Sequence, residues 1–167
     1  MRVKKWIGCL TAACLCVSTL FLGACGGGQK PNEDFHIEGS CEEILGRVYE
    51  AANVSEDMRS RMEEYVTSTM AAEEAVYILG TEAVSFSDAV YSVPLINVDP
   101  YQCVVLRVNG DDIDNAKREI ADNADPKKWV CVEAESVIVE SNGDVILFVM
   151  ADTDTAEALR DAFLALT

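Results

Sequence analysis

Histidine is almost missing from the sequence, and basic residues are few. Among 167 residues there is one histidine, and 13 lysines and arginines stand against 29 aspartates and glutamates, which gives a formal charge of −16. A zinc site of the usual kind needs three or four closely spaced histidine or cysteine ligands, so zinc catalysis is disfavoured. Nucleic-acid binding is disfavoured as well, because an acidic surface repels phosphodiester backbones. The acidity favours cationic partners or a simple role in solubility.

Motifs that bind nucleotides or activate a serine are also missing. The sequence contains no G-x-x-x-x-G-K, no G-x-S-x-G and no G-x-G-x-x-G. Acidic clusters around Asp112 and Asp152 lack the glycine and the glutamate that a calcium-binding loop places at its sixth and twelfth positions. Helix capping explains both clusters more simply, because each precedes a predicted helix. We therefore predict no catalytic residue and no metal, and no cofactor other than a covalent lipid.

The first 24 residues have the composition of a signal peptide. A basic MRVKK start is followed by 17 residues without a charge, from Trp6 to Leu22. As a helix this run would span about 26 Å, which is short of the roughly 30 Å hydrocarbon layer. The pattern therefore predicts a signal peptide over residues 1–24 in preference to a permanent membrane-spanning helix.

The end of this run, Leu22-Gly23-Ala24-Cys25, resembles the bacterial lipobox. The resemblance implies cleavage before Cys25 and a diacylglyceryl group on its thiol, and two or more acyl chains would make the attachment durable. Residues 25–40 are then the lipidated cysteine and a flexible tether, whose ten residues from Gly26 to Phe35 have a reach near ~18 Å. The alternative is a cleaved secretory peptide with an incidental cysteine.

Residues 41–167 are predicted to form a single α+β domain with the element order α-α-β-β-α-β-β-α. The expected sheet is mostly antiparallel, has about four strands and carries helices packed on it. Helices are predicted from Cys41 to near Asn53, from Ser55 through an apolar stripe that reaches Met70, after Asp111 or Asp112, and from Thr153 or Asp154. Strands are predicted over Ala83–Ile96, Cys103–Val108, Val130–Glu140 and Val145–Met150.

Three cysteines follow the predicted lipidation site: Cys41, Cys103 and Cys131. An odd number cannot form a closed disulfide framework, and the apolar neighbours of Cys103 and Cys131 favour buried thiols. One disulfide between neighbouring strands stays possible on the sequence alone. A nucleophilic pair of Cys41 with His36 can also be drawn, but neither residue has an evident partner to orient it.

The segment DPKKWVCVEAE, from Asp125 to Glu135, places Lys127, Lys128 and Trp129 within an acidic chain. Tryptophan is enriched at binding hot spots, so these three residues are candidates for a partner-facing site. The alternative is a core indole with solvated lysines at the entrance of a strand, which is the commoner arrangement.

The lipobox, the VNGDDIDNAKREI junction and the final NGDVILFVMADTD strand together resemble the bacterial lipoproteins grouped as domain of unknown function 4358. The resemblance covers roughly Glu42 to Leu166. It implies the envelope of a Gram-positive, often anaerobic, host. The family has no assigned activity, so the resemblance adds a location and no chemistry.

These observations favour a non-enzymatic lipoprotein, anchored to the outer face of the cell membrane, that binds a protein, a peptide or a small ligand. The alternative is an envelope hydrolase with an unrecognised acid or cysteine site. A solute receptor of a transport system is less well supported, because about 130 folded residues are too few for the usual two-lobed cleft.

Overall fold

The computed structural model describes residues 36–110 and 112–167, so the predicted signal peptide, the lipobox and most of the tether lie outside the described residues. Within these ranges no helix is long and apolar enough to cross a membrane. The elements are α1 (Cys41–Ala51), α2 (Glu56–Glu64), β1 (Val66–Thr69), a 3-10 turn (Ala72–Glu74), α3 (Ala75–Ile78), β2 (Phe86–Val93), β3 (Gln102–Val108), α4 (Ile113–Asn123), β4 (Ser136–Asn142), β5 (Val145–Ala151) and α5 (Thr153–Leu164).

The strands form one antiparallel sheet in the order β1-β2-β3-β5-β4. The β4–β5 hairpin has a two-residue loop, in which Gly143 takes a φ of +59° at the first position. This conformation suits a tight hairpin turn and confirms the hairpin predicted at Asn142-Gly143. The α+β class and the antiparallel sheet are confirmed, whereas the expected count of about four strands is one too few.

Two apolar layers enclose the sheet. Along β5, alternate side chains point to opposite faces: Val145, Leu147 and Val149 pack with α1 and α5, whereas Ile146 and Phe148 pack with α4. Every residue of this strand is buried. Burial on both faces explains why the run VILFVM has no polar alternation, and it confirms β5 as a central strand.

The second predicted helix is wrong beyond Glu64. Residues Val66–Thr69 are a strand that pairs with β2, and they bring the sheet to five strands. Met58 and Met62 pack on the α1 face, whereas Met70 packs on the opposite face. The helical spacing of the three methionines therefore does not reflect one stripe. Helix α3 is a further element that the sequence prediction lacks.

Side-chain caps fix the starts of four helices. The Ser40 hydroxyl accepts the amide of Glu43 while the Glu43 carboxylate accepts that of Ser40, which is a capping box. Ser55 caps α2, and Asp112 and Asp152 accept amides at the starts of α4 and α5. Capping therefore accounts for both aspartates.

The packed domain begins before the expected boundary at residue 41. Ile37 is completely buried in the core layer of α1 and α5. The Arg107 guanidinium donates from Nη2 to the carbonyl oxygens of Ile37 and Gly39, at 2.8 and 2.9 Å. Its Nη1 donates to the Asp144 carboxylate, whose Oδ2 lies 2.9 Å from His36 Nδ1. The last residues of the predicted tether are therefore held by β3 and by the β4–β5 turn.

Candidate interaction surface

The loop from Pro94 to Tyr101, here called the 94–101 loop, is fixed to the domain near its end. The Asp99 carboxylate accepts a hydrogen bond from the Tyr65 hydroxyl at 2.5 Å and forms an ion pair with Arg61 at 3.3 Å. The Tyr65 and Tyr101 rings also pack together, with centroids 4.6 Å apart. These contacts hold the loop against α2 and the start of β1.

Between these fixed points the loop exposes large apolar side chains. Leu95, Ile96 and Val98 are 77%, 66% and 53% exposed. The amide of Val130 donates to the carbonyl of Asn97 at 2.9 Å, which joins the loop to the segment after Trp129. Val130 is itself 56% exposed, so we call these four apolar residues the apolar patch. The backbone hydrogen bond brings the two segments together, and neighbouring exposed apolar residues are typical of interaction sites.

The structure separates the three residues predicted to face a partner. The Trp129 indole is 7% exposed and packs in the core layer of α4, so it presents no face to a partner. The Lys128 ammonium lies 5.4 Å from the centre of this ring and donates to Oε1 of Gln102. Lys127 is exposed, with its Nζ 3.4 Å from Glu133. Of the three, only Lys127 lies fully at the surface.

The predicted strand over Ala83–Ile96 is wrong after Val93, and the sequence carries a signal for this difference. Leu95 and Ile96 lie within the predicted strand Ala83–Ile96, whereas β2 ends at Val93. Pro94 cannot donate to a strand ladder, and it marks the true end of the strand. The position of Leu95 and Ile96 between Pro94 and a turn is therefore the sequence feature that indicates an exposed loop.

The three cysteines have different environments. Cys103 is buried as predicted, whereas Cys131 is exposed, so the prediction of a buried Cys131 is wrong. Cys131 has a φ of +63°, a left-handed conformation outside the β region, and β4 begins only at Ser136. Cys41, Cys103 and Cys131 are all free thiols.

A cysteine nucleophile finds no support in the buried thiols. Burial raises the pKa of Cys103 to about 12, and burial together with the charge of Asp88 raises that of Cys41 to about 12. Cys41 donates its thiol proton to the Asp88 carbonyl at 3.4 Å, while Nδ1 of His36 contacts the Asp144 carboxylate at 2.9 Å. Cys41 and His36 therefore bind different partners and do not form the nucleophilic pair considered above. Their raised pKa values keep the thiols of Cys41 and Cys103 protonated and unreactive.

No group of three histidine, cysteine or acidic side chains suited to a metal ion occurs among residues 36–110 and 112–167. Comparisons of the chain with protein-family models, curated proteins and solved structures returned no match. The apolar patch is therefore interpreted from its own geometry.

Proposed function

We propose that the chain is a lipid-anchored protein on the extracytoplasmic face of a cell membrane, of the type grouped as domain of unknown function 4358. The observation that carries this proposal is Leu22-Gly23-Ala24-Cys25 at the end of an uncharged run that follows a basic start. A diacylglyceryl group on the Cys25 thiol is the expected anchor. Each CH₂ of its acyl chains that is buried in the membrane stabilises the attachment by about 0.8 kcal/mol.

The arrangement of the domain supports a role in display. Two residues of the predicted tether, His36 and Ile37, contact Arg107 near one end of β3. The 94–101 loop precedes Gln102, at the other end of the same strand. Because a strand rises roughly 3.3 Å per residue, the two ends of β3 are about 20 Å apart. The 94–101 loop of the apolar patch and the two predicted tether residues therefore lie at opposite ends of β3.

We further propose that the domain is a non-enzymatic binding module and that the apolar patch is its contact surface. A loop fixed by Asp99 loses little conformational freedom on binding, and such preorganisation favours affinity. Residues 36–167 contain nine lysines and arginines and 27 aspartates and glutamates, a formal −18. The partner that fits is an envelope protein with an apolar surface bordered by basic side chains, because opposite charges accelerate and orient the encounter.

The alternative of an envelope hydrolase is less well supported. A cysteine-based site would need a thiolate near neutral pH, and the raised pKa values of Cys41 and Cys103 oppose it. An acid-based site would need carboxyl groups that converge on a cleft. The cavity beside Asp152 and Asp154 does contain two acids, but Asp152 is engaged as the cap of α5.

The anchor is tested by the variant Cys25→Ser in the producing cell. We expect the variant to be released to the medium or to stay unprocessed, whereas the unaltered protein partitions into detergent. Cys131→Ser is the matched control, because it removes an exposed thiol that the anchor does not use. Unchanged processing and membrane retention of Cys25→Ser would contradict the proposal.

The contact surface is tested by Leu95→Asp in the lipidated protein. Charge at the centre of an apolar contact removes hot-spot energy, so we expect binding to envelope proteins to fall by roughly tenfold or more. Leu164→Asp, at an exposed apolar position at the end of α5, is the control and retains binding. The captured protein must also dissociate from the domain as the salt concentration rises, because salt screens the attraction between the acidic domain and the basic border of the partner. Equal capture by both variants would rule out the patch as the contact surface.

A further inference from the structure

A cavity of about 240 Å³ lies between α3 and the loop that follows α4. Its apolar lining includes two exposed residues of α3, Val76 and Tyr77, besides the buried Phe148 and Met150 of β5. On another side lies Gly80, with a φ of +80°, where a Cβ atom would be 2.2 Å from the Asn123 carbonyl oxygen. The volume corresponds to about eight liquid water molecules. The cavity therefore suits a ligand of the size of a single amino acid.

Two residues of opposite charge line this cavity, and they do not form a salt bridge with each other. Lys128 and Asp125 are both lining residues, and in the described part of the chain neither forms a salt bridge. The Asp125 carboxylate accepts only the backbone amide of Lys127, at 2.9 Å. A cationic and an anionic residue that line one small space without pairing suit a ligand that carries both charges.

The Lys128 ammonium is held in place by a buried polar contact. It donates one of its three protons to Oε1 of Gln102, and Gln102, which is fully buried, donates from Nε2 to the Ile78 carbonyl at 2.9 Å. Burial lowers the pKa of Lys128, with the charge of Asp125 acting in the opposite sense. A bound carboxylate would compensate the desolvation of this cation.

We propose that this cavity, here called the Lys128 cavity, binds a small apolar α-amino acid. The ligand carboxylate contacts the Lys128 ammonium, its ammonium contacts Asp125, and its side chain packs against the exposed apolar residues Val76 and Tyr77 of α3. The two charges define the class of ligand, since an acid or an amine alone satisfies only one of them. This inference does not depend on the lipid anchor or on a protein partner.

The test is titration calorimetry on the full chain in detergent, with L-leucine as the probe. Two analogues each remove one charge: 4-methylpentanoate lacks the amine, and 3-methylbutylamine lacks the carboxylate. We expect leucine to bind roughly tenfold or more tightly than either analogue, since each loses a hydrogen bond to a charged group. No binding of leucine at about 10 mM, or equal affinity for all three compounds, would overturn the proposal.

Two variants with a neighbouring control assign the contacts. Lys128→Met is expected to weaken leucine binding by roughly tenfold or more, whereas Lys127→Met, which alters an exposed lysine, leaves it unchanged. Lys128→Met also deprives Gln102 of a donor and can destabilise the domain. Asp125→Asn avoids this problem, because Asp125 is exposed and asparagine keeps the acceptor for the Lys127 amide.

The Asp125→Asn variant has a charge-specific outcome. The variant is expected to bind leucine and 3-methylbutylamine roughly tenfold more weakly and to bind 4-methylpentanoate with unchanged affinity, since only the first two compounds carry an ammonium. Equal affinities of the variant and the unaltered protein for leucine would contradict the assigned orientation.

Discussion

The rigidity of the 94–101 loop depends on Asp99, and this dependence can be measured. Tyr65→Phe removes the hydroxyl that donates to Asp99 at 2.5 Å. A hydrogen bond to a charged group contributes about 1.5–3 kcal/mol to the free energy of unfolding, so we expect a loss in that range. Asp99→Ala also removes the ion pair with Arg61, which adds about 0–1 kcal/mol because the Arg61 side chain is partly exposed. The expected total loss for Asp99→Ala is therefore about 1.5–4 kcal/mol.

The assay combines urea unfolding with hydrogen exchange of the loop amides. Asp99→Asn is the matched control, because asparagine keeps an acceptor for the Tyr65 hydroxyl and loses only the charge. We expect this variant to lower the free energy of unfolding by about 1 kcal/mol. The amide of Val130, which donates to Asn97, should exchange faster in Asp99→Ala than in Asp99→Asn. The reasoning is refuted if Tyr65→Phe and Asp99→Ala both unfold within about 0.5 kcal/mol of the unaltered protein and their loop amides exchange at its rate.

Three further predictions concern the start of the domain and the thiols. Ile37→Ala should lower the free energy of unfolding by about 2–5 kcal/mol in urea titrations, since it empties a fully buried site; an effect below about 0.5 kcal/mol would place residue 37 in a tether. Burial opposes ionisation of Asp144, but Arg107 outweighs burial and lowers the pKa of this carboxyl below 3.8. The stability that the carboxylate contributes is therefore present above pH 3.8 and is lost as the pH falls through the folded-state pKa. Unfolding titrations of Asp144→Asn should lack this loss of stability in acid, and an unchanged acid limb in the variant would contradict the prediction. In the native protein a maleimide should label Cys131 at once, and Cys41 and Cys103 only after unfolding. Rapid labelling of Cys41 and Cys103 in the native protein would contradict their burial.

Patterns that arise from local physical chemistry were predictable from the sequence. The run VILFVM is apolar on both faces because helices cover both sides of β5, and the prediction of a central strand is confirmed. The start of α5 at Thr153 and the hairpin at Gly143 follow equally from residues close in sequence. Caps and tight turns depend on a few neighbouring residues, so one sequence is enough to locate them.

Features that arise from tertiary pairing were not predictable. Met58, Met62 and Met70 are spaced as on one helix, yet β1 intervenes and places Met70 on the opposite face of the sheet. Strand β1 is only four residues long, and its pairing with β2 decides its conformation. The local pattern of β-branched residues was too short to outweigh the methionine spacing.

The candidate site was predictable only in its neighbourhood. The segment around Trp129 was identified from its composition, but the apolar patch is assembled with the 94–101 loop, about thirty residues earlier in the sequence. The hydrogen bond between Val130 and Asn97 joins the two segments, and no spacing rule indicates it. The Lys128 cavity likewise combines α3, β5 and the loop after α4, which lie far apart along the chain.

The central claim, a lipid anchor on Cys25, is tested most directly by mass spectrometry of the N-terminal peptide from the membrane-extracted protein. The account predicts a peptide that begins at Cys25 and carries a diacylglyceryl group on the thiol, with residues 1–24 removed. An unmodified N-terminus at a residue after Cys25 would contradict it.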